Sequence, residues 1–400
     1  MTRQIQEAFI VSAVRTPVAK APRGAFRNVR PDDMLAHVLR GVMAQNPQID
    51  ARLIADVIVG CAMPEAEQGM NIARIGVLLA GLPQSVPGVT INRFCASGIQ
   101  AVSMAADRIM LGQADLMIGA GAETMSLIPM MGHKVVMNPN VFAHDENIGI
   151  AYGMGITAEK VAERWQISRE DQDKFALESH RRAVSAIERG DFKSEILPYE
   201  VEESIPGILQ GAQTITKKKI ISNDEGPRPE SSLESLAKLK PVFAARGSVT
   251  AGNSSQMSDG AGAVLLASEK AVKQFGLKPI ARFVNFAVAG VPPEIMGIGP
   301  KEAIPMALKQ AGLNLNQMDW IELNEAFAAQ SLAIIRDLNL DVSKVNPLGG
   351  AIALGHPLGA TGAIRTATLV HGMRRTGKKY GMVTMCIGTG MGACAIIEAL

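Results

Sequence analysis

Short apolar runs with almost no internal polar positions alternate along this chain with Ala-rich segments whose apolar residues recur every three or four positions. Unbroken runs fit strands covered on both faces, and the helical period fits the elements that cover them. The runs predict strands over 9–13, 57–60, 116–119, 262–267 and 382–386. The periodic segments predict helices over 34–44, 101–111, 304–310 and 363–373. Such alternation is the pattern of an α/β fold. Between about Thr124 and Ser248 the texture changes to Met-rich loops, one strongly charged helical stretch over 157–190, and the basic run Lys217-Lys218-Lys219. That block reads as an insertion on the core.

The core itself repeats. A shift of 263–264 residues lays Ile54-Ala55-Asp56-Val57-Ile58 on Gln317-Met318-Asp319-Trp320-Ile321, and Ala96-Ser97-Gly98 on Ala360-Thr361-Gly362. After each triplet come an Ala-rich helix, a polar turn, an apolar strand and a Gly-x-Gly, Gly119/Gly121 in one half and Gly388/Gly390 in the other. A duplicated α/β unit is the reading. Residues 1–123 with 249–275 would form one half, 276–400 the other, and 124–248 the inserted domain.

Composition narrows the function classes. At 400 residues, 47% hydrophobic and 20% charged, the chain has the make-up of a folded, soluble protein of two to three domains. Lys and Arg exceed Asp and Glu by only two, with no basic arm, so nucleic acid is not an expected partner. Four scattered cysteines, Cys61, Cys95, Cys386 and Cys394, form no CxxC pair and point to a reducing, cytoplasmic setting. No apolar run nears the roughly 18 residues of a membrane span. The N-terminus runs straight into the strand-like Glu7-Ala-Phe-Ile-Val-Ser-Ala-Val14 and the C-terminal Glu-Ala-Leu is no peroxisomal address, so no targeting segment is expected.

Cys95 stands where the apolar run 89–91 meets a small-residue turn that opens a helix. A thiol at a helix N-terminus is expected to ionise more easily, and the unpaired N–H groups there can hold an oxyanion. The alternative is a buried structural cysteine. His356 lies in the glycine-rich run 346–362, and the repeat shift drops it on Asn92 and Gly359 on Cys95. If the halves pack about a pseudo-twofold axis, the two turns face one another and a Cys–His pair becomes geometrically accessible; the alternative is a hydrogen-bonded structural histidine. Cys386 ends a strand at a second glycine-rich turn. Asn324-Glu325 follows the strand-like 320–323 and on local grounds reads as a helix cap. The spacings match no metal-ligand set, no GxGxxG lies between a strand and a helix, and no GxxxxGK[ST] occurs.

Taken together, Asn92-Arg-Phe-Cys95-Ala-Ser-Gly, Asn324-Glu-Ala-Phe327, Gly355-His356-Pro-Leu-Gly-Ala-Thr-Gly and Cys386-Ile-Gly-Thr-Gly-Met-Gly, in this order over the whole chain, resemble the thiolase family. The resemblance implies a thiolase-like duplicated α/β core with an inserted CoA-binding loop domain. It implies that Cys95 accepts the acyl group, that His356 takes its proton and later serves as a base towards the CoA thiol, and that Cys386 is the acid/base at the acetyl α-carbon. Asn324 would hold a water in an oxyanion hole shared with His356, and the N–H groups of Cys95 and Gly388 would form a second. Arg228 and Ser235 would lie near the nucleotide of CoA, Ser255 near its pantetheine, and Met154, Met296 and Phe327 around the acyl pocket. Acyl-CoA and CoA are then the partners, with CoA a co-substrate, no tightly bound cofactor and no metal.

Thiolases that degrade fatty acids and those that condense two acetyl-CoA differ in the loop lining the acyl groove. Here residues 122–137 are rich in Met, which packs irregular chains. Gly153-Met154-Gly155 also stands where biosynthetic members commonly carry His-Met-Gly. Both features lean towards a 3-ketoacyl-CoA thiolase of β-oxidation, with acetyl-CoA C-acetyltransferase the alternative within the family. A β-ketoacyl synthase would carry His in place of Asn324 and lack Cys386, and a non-catalytic acyl-CoA or lipid carrier would be expected to lose Cys95 or His356. The resemblance further implies a homodimer or homotetramer, and association with a multifunctional β-oxidation subunit.

Overall fold

The computed structural model describes residues 5–206 and 214–400. Its strands are β1 (Ala8–Arg15), β2 (Ala19–Lys20), β3 (Val57–Gly60), β4 (Gly88–Ile91), β5 (Leu116–Thr124), β6 (Tyr199–Pro206), β7 (Thr214–Ile221), β8 (Ser258–Ser268), β9 (Ala281–Gly290), β10 (Trp320–Leu323), β11 (Tyr380–Ile387) and β12 (Met391–Ala399). The N-terminal half orders its strands β4-β3-β5-β8-β1 and the C-terminal half orders its own β10-β11-β12-β9. In the first half β4, β3 and β5 run parallel and β8 returns antiparallel; in the second β10 and β11 run parallel and β12 returns antiparallel. Antiparallel pairing of β1 with β9, Ala8 opposite Phe283 and Ile10 opposite Ala281, joins the halves into one continuous sheet.

Helices Ser97–Met110 and Leu358–Thr376 lie side by side between the two half-sheets. Their Ala and Gly faces share one core with Ile58, Met117 and Val264 from one half and Trp320, Val383 and Met385 from the other. Pro31–Ala44 closes the outer face of the first half through Leu35, Val38 and Leu39, and Gly299–Ala311 closes that of the second through Ile304 and Leu308. Small residues let the central pair approach: a Cβ on Gly98 would fall 2.7 Å from the carbonyl oxygen of Gly359 and 2.8 Å from the nitrogen of Ala363.

The duplication is visible in strand order, β3-β5-β8-β1 matching β10-β11-β12-β9, and it is broken at the extra edge strand β4 and at one connection. β11 and β12 are joined by the turn 388–390, whereas the equivalent β5 and β8 are separated by residues 125–257. The charged stretch predicted as one helix is two, Met154–Arg164 and Arg169–Arg189, because Gln166 takes φ 52° and Ser168 caps the second helix from Asp171 N–H. Buried ion pairs pin this insertion to the core. The Arg15 guanidinium meets Asp224 at 2.7 Å and Glu195 at 2.6 Å, and Asp224 also accepts Val18 N–H. Among the described residues, no helix is long and apolar enough to cross a membrane.

Candidate active site

The turn that carries Cys95 is built by its own sequence. Asn92 Oδ1 accepts Phe94 N–H at 2.8 Å, Ser97 Oγ accepts Arg93 N–H at 2.8 Å and donates to Phe94 C=O, and Phe94 is held at φ 44°, a left-handed conformation uncommon outside glycine. Cys95 is thereby set just ahead of helix Ser97–Met110. On the facing half, Gly355 at φ 89° turns the chain so that His356 precedes helix Leu358–Thr376, and the His356 N–H is satisfied by Ser258 Oγ at 3.1 Å.

His356 is buried and fixed at both ring nitrogens. Thr361 Oγ1 lies 2.7 Å from Nδ1 and Asn324 Nδ2 lies 3.3 Å from Nε2. With the Asn324 amide turned this way, Nε2 is the acceptor and Nδ1–H donates to Thr361. Burial, reinforced by the Arg365 guanidinium, pushes the imidazole pKa down to about 3, so a neutral base faces the cavity.

Cys95 and Cys386 meet across the same space. The backbone N–H groups of Gly388 and of Cys95 itself point at the Cys95 sulfur, but burial outweighs them and the thiol is pushed up to about 11. This corrects the expectation of an easily ionised thiol. The helix terminus and its N–H donors are present, yet the apolar cavity wall dominates, so forming a thiolate here needs a base beside it. The Cys386 thiol is raised further, first by burial and then by Cys95, and donates to Gln330 Oε1 at 3.8 Å.

These groups open on a cavity of about 380 Å³, within the usual range for a small-molecule site. Cys95, His356, Cys386, Gly388, Ser255, Met154, Met296 and Phe327 all line it, and Asn324 reaches it through His356. Met130, Met131, Val135, Val136 and Met137 form one wall, and Lys134 sits among them. Arg228 and Ser235 do not join this cavity. Arg228 lines a separate groove with His180 and Arg181, and the Ser235 hydroxyl is engaged in a capping box with Ser232. Nor is Asn324-Glu325 a helix cap: the next helix starts at Ala328, while Glu325 is buried and accepts from Ser179, Asn346 and Ile352 N–H. Among the described residues, no group of three His, Cys, Asp or Glu side chains is placed to hold a metal ion.

Family models for the thiolase N-terminal domain and the thiolase C-terminal domain match residues 8–270 and 277–399. The chain belongs to the thiolase family. It is 50% identical to the 3-ketoacyl-CoA thiolase of Bacillus subtilis over 394 residues, covering 98% of this chain and all of that one. It is 47% identical to the peroxisomal 3-ketoacyl-CoA thiolase 1 of Arabidopsis thaliana over 395 residues, 98% of this chain and 87% of the relative. Among solved structures it resembles the acetyl-CoA acetyltransferase of Bacillus anthracis (TM-score 0.89, 38% identity, all of both chains) and the dimeric peroxisomal thiolase of Saccharomyces cerevisiae (TM-score 0.88, 39% identity, 100% and 99% covered).

Several contacts of this thiolase-family site were not singled out from sequence. Thr361, which orients the His356 ring, is five residues along the same motif, and Gln330, which holds the Cys386 thiol, is six residues beyond Asn324. Both were within reach as polar residues on the inward face of helices that open at the site. Glu123 and Gln68 were not, because Glu123 is met by Gln68 itself and by the N–H groups of Ala62, Met63 and Gly359, which only the fold brings to it.

Proposed function

We propose that this protein is a 3-ketoacyl-CoA thiolase, an acetyl-CoA C-acyltransferase that cleaves 3-oxoacyl-CoA with CoA in fatty-acid β-oxidation. The observation that carries the reading is the convergence of two thiols and a neutral, doubly fixed imidazole on one apolar cavity. The Cys95 thiol attacks the C3 ketone as its proton passes to His356 Nε2. The C3 oxyanion, on the carbon now bonded to Cys95, is held by the Cys95 and Gly388 N–H groups that point at that sulfur, and the hole of His356 with Asn324 takes the thioester oxygen of the departing acetyl-CoA. The C2–C3 bond breaks, and the Cys386 S–H protonates the departing acetyl-CoA carbanion, leaving acyl-Cys95.

The proton inventory then revises one sequence expectation. His356 now carries a proton and Cys386 is the thiolate, so Cys386 rather than His356 takes the proton of incoming CoA. The CoA sulfur attacks the acyl thioester, and the proton on His356 returns to Cys95. The upward displacement of the Cys386 thiol supports this role, since the acid must hold its proton until the carbanion forms.

The insertion is read as the CoA-binding loop domain, within boundaries 124–248. Ser255, against the cavity, is assigned to pantetheine, and Arg228 and Ser235 to the nucleotide. The wall of Met130, Met131 and Met137 supports long acyl chains over acetoacetyl groups. The protein is read as a cytoplasmic homodimer or homotetramer, in keeping with its four free cysteines, and as a partner of a multifunctional β-oxidation subunit. Turnover of 3-oxodecanoyl-CoA against acetoacetyl-CoA tests the reading. Activity on the ten-carbon substrate is expected, and activity confined to the four-carbon one would favour the acetyltransferase instead.

A further inference from the structure

Glu123, next to the end of β5, is buried and has no part in the chemistry above. Its Oε2 accepts the N–H of Ala62 at 2.7 Å and of Gly359 at 2.8 Å, and its Oε1 accepts Gln68 Nε2–H at 2.6 Å and Met63 N–H at 3.2 Å. Gln68 cannot turn its amide, because its Oε1 accepts Thr124 N–H and its Nε2 also donates to Met63 C=O. Burial raises the Glu123 pKa above the ordinary carboxylate value, and the donors from Ala62, Gly359, Gln68 and Met63 oppose that rise; since every neighbour donates, the pocket fits a group that accepts on all sides, the carboxylate form.

The donors come from both halves of the duplication. Ala62 and Met63 follow β3, whereas Gly359 is in the first turn of the helix that His356 precedes, the turn whose Thr361 fixes the His356 ring. The approach is close: a Cβ on Gly359 would lie 2.7 Å from Glu123 Oε2 and 2.7 Å from Ala62 N. Met63 and Leu358, beside these N–H groups, both line the catalytic cavity.

We propose that Glu123 is a positioning residue that registers the start of the His356 helix against the half carrying Cys95, and so sets the separation across which the thiol proton moves. The proposal rests on the acyl-transfer reading. Glu123 also has an electrostatic signature. The ionisable groups around the Cys95 thiol are Cys386, His356 and Lys134 in the cavity wall and, beyond it, Glu123 with the Cys61 thiol donating to its Oε1 at 3.9 Å, and the Glu123 charge opposes thiolate formation. Removing that charge eases ionisation of Cys95, while loosening the register slows acyl transfer. A lesion that lowers the folded fraction also exposes Cys95 and speeds alkylation, so thermal melting must show each variant folded at the assay temperature before the two rates are compared.

The test compares the full-length wild type with Glu123→Gln and Glu123→Asp. The readouts are kcat and KM with 3-oxodecanoyl-CoA and CoA, and the rate of Cys95 alkylation by iodoacetamide at pH 8 without CoA, assigned by peptide mapping. In the Gln variant an NH2 must face two N–H donors, so kcat is expected to fall on the order of 10²-fold, the penalty for roughly 1 Å of misplacement, with KM little changed and alkylation several-fold faster. In the Asp variant, which keeps the charge but withdraws it, kcat falls and alkylation stays at the wild-type rate. Wild-type kcat in either variant overturns the proposal, as does alkylation that rises equally in both. If the Gln variant does not fold, the Asp variant decides on kcat and KM alone. Absence of acyl transfer in the wild type would instead overturn the function reading, and the alkylation comparison would still measure the hold of Glu123 on Cys95.

Discussion

Replacing Gly98 by alanine places a single methyl group between the two helices that start just after Cys95 and His356, the pair proposed to be catalytic. Gly98 is three residues after Cys95, and the backbone it faces, Gly359, is three residues after His356. The new Cβ would lie 2.7 Å from Gly359 C=O and 2.8 Å from Ala363 N, where ordinary contacts begin at 3.4 Å. Both obstacles are helix backbone, so the helix starts must part by about 0.7 Å. Overpacking of this kind costs about 1–3 kcal/mol, and the helix preference of Ala over Gly returns up to about 1 kcal/mol. The net expectation is a destabilisation of about 1–2 kcal/mol. The catalytic effect is larger, because a displacement approaching 1 Å between reacting groups lowers turnover on the order of 10²-fold. Thermal melting at fixed protein concentration and kcat on 3-oxodecanoyl-CoA are the assays. Gly290→Ala, with nothing within 4 Å of its Cβ, serves as the control and should change neither. A Gly98→Ala enzyme with wild-type melting and turnover would refute the close crossing and its link to catalysis.

Three further outcomes follow from the same geometry. Asn324→Ala should lower kcat about 10²–10³-fold through loss of an oxyanion donor, with CoA binding by calorimetry preserved; a loss below tenfold would remove Asn324 from the hole. Asp224→Ala leaves the buried Arg15 with Glu195 alone and should destabilise the fold by about 3–5 kcal/mol, seen as earlier proteolysis within the insertion; unchanged protease resistance would contradict the tether. His180 is held near 4 by burial and by the Arg228 charge, below its ordinary 6.5. The unfolded chain therefore binds a proton below pH 6.5 that the folded chain refuses, and this histidine erodes stability as pH falls from 6.5 towards 4, by roughly 3 kcal/mol at the limit. His180→Gln should narrow the acid loss of melting temperature relative to wild type, and parallel pH profiles would sink the assignment.

Much of the architecture was legible because it depends on local pattern. The apolar runs 57–60 and 116–119 are β3 and the first part of β5, and the Ala-rich segments 101–111 and 363–373 lie in the two central helices. Their starts moved outwards by four and five residues, since Gly98 and Gly359, poor helix formers in isolation, are helical here because the crossing needs them. The repeat shift placed the turns of Cys95 and His356 at equivalent positions of the two halves, and both residues line the one cavity. The single helix expected over 157–190 failed at Gln166, whose positive φ no period reveals. The raised Cys95 thiol was also out of reach. Its cause is the collective closure of an apolar cavity by residues from Met63 to Thr389, whereas the helix terminus that argued the other way is local. Glu123 was invisible for the same reason, its partners, the Gln68 amide and three backbone N–H groups, being brought together only by the fold.

The most direct test of the account is mass spectrometry of the intact protein after brief incubation with 3-oxodecanoyl-CoA, with peptide mapping of the added acyl group. One octanoyl group on the peptide containing Cys95, released by added CoA, is the predicted result. An unmodified Cys95 in protein that demonstrably binds the substrate, or an acyl group mapped to Cys386, would contradict it.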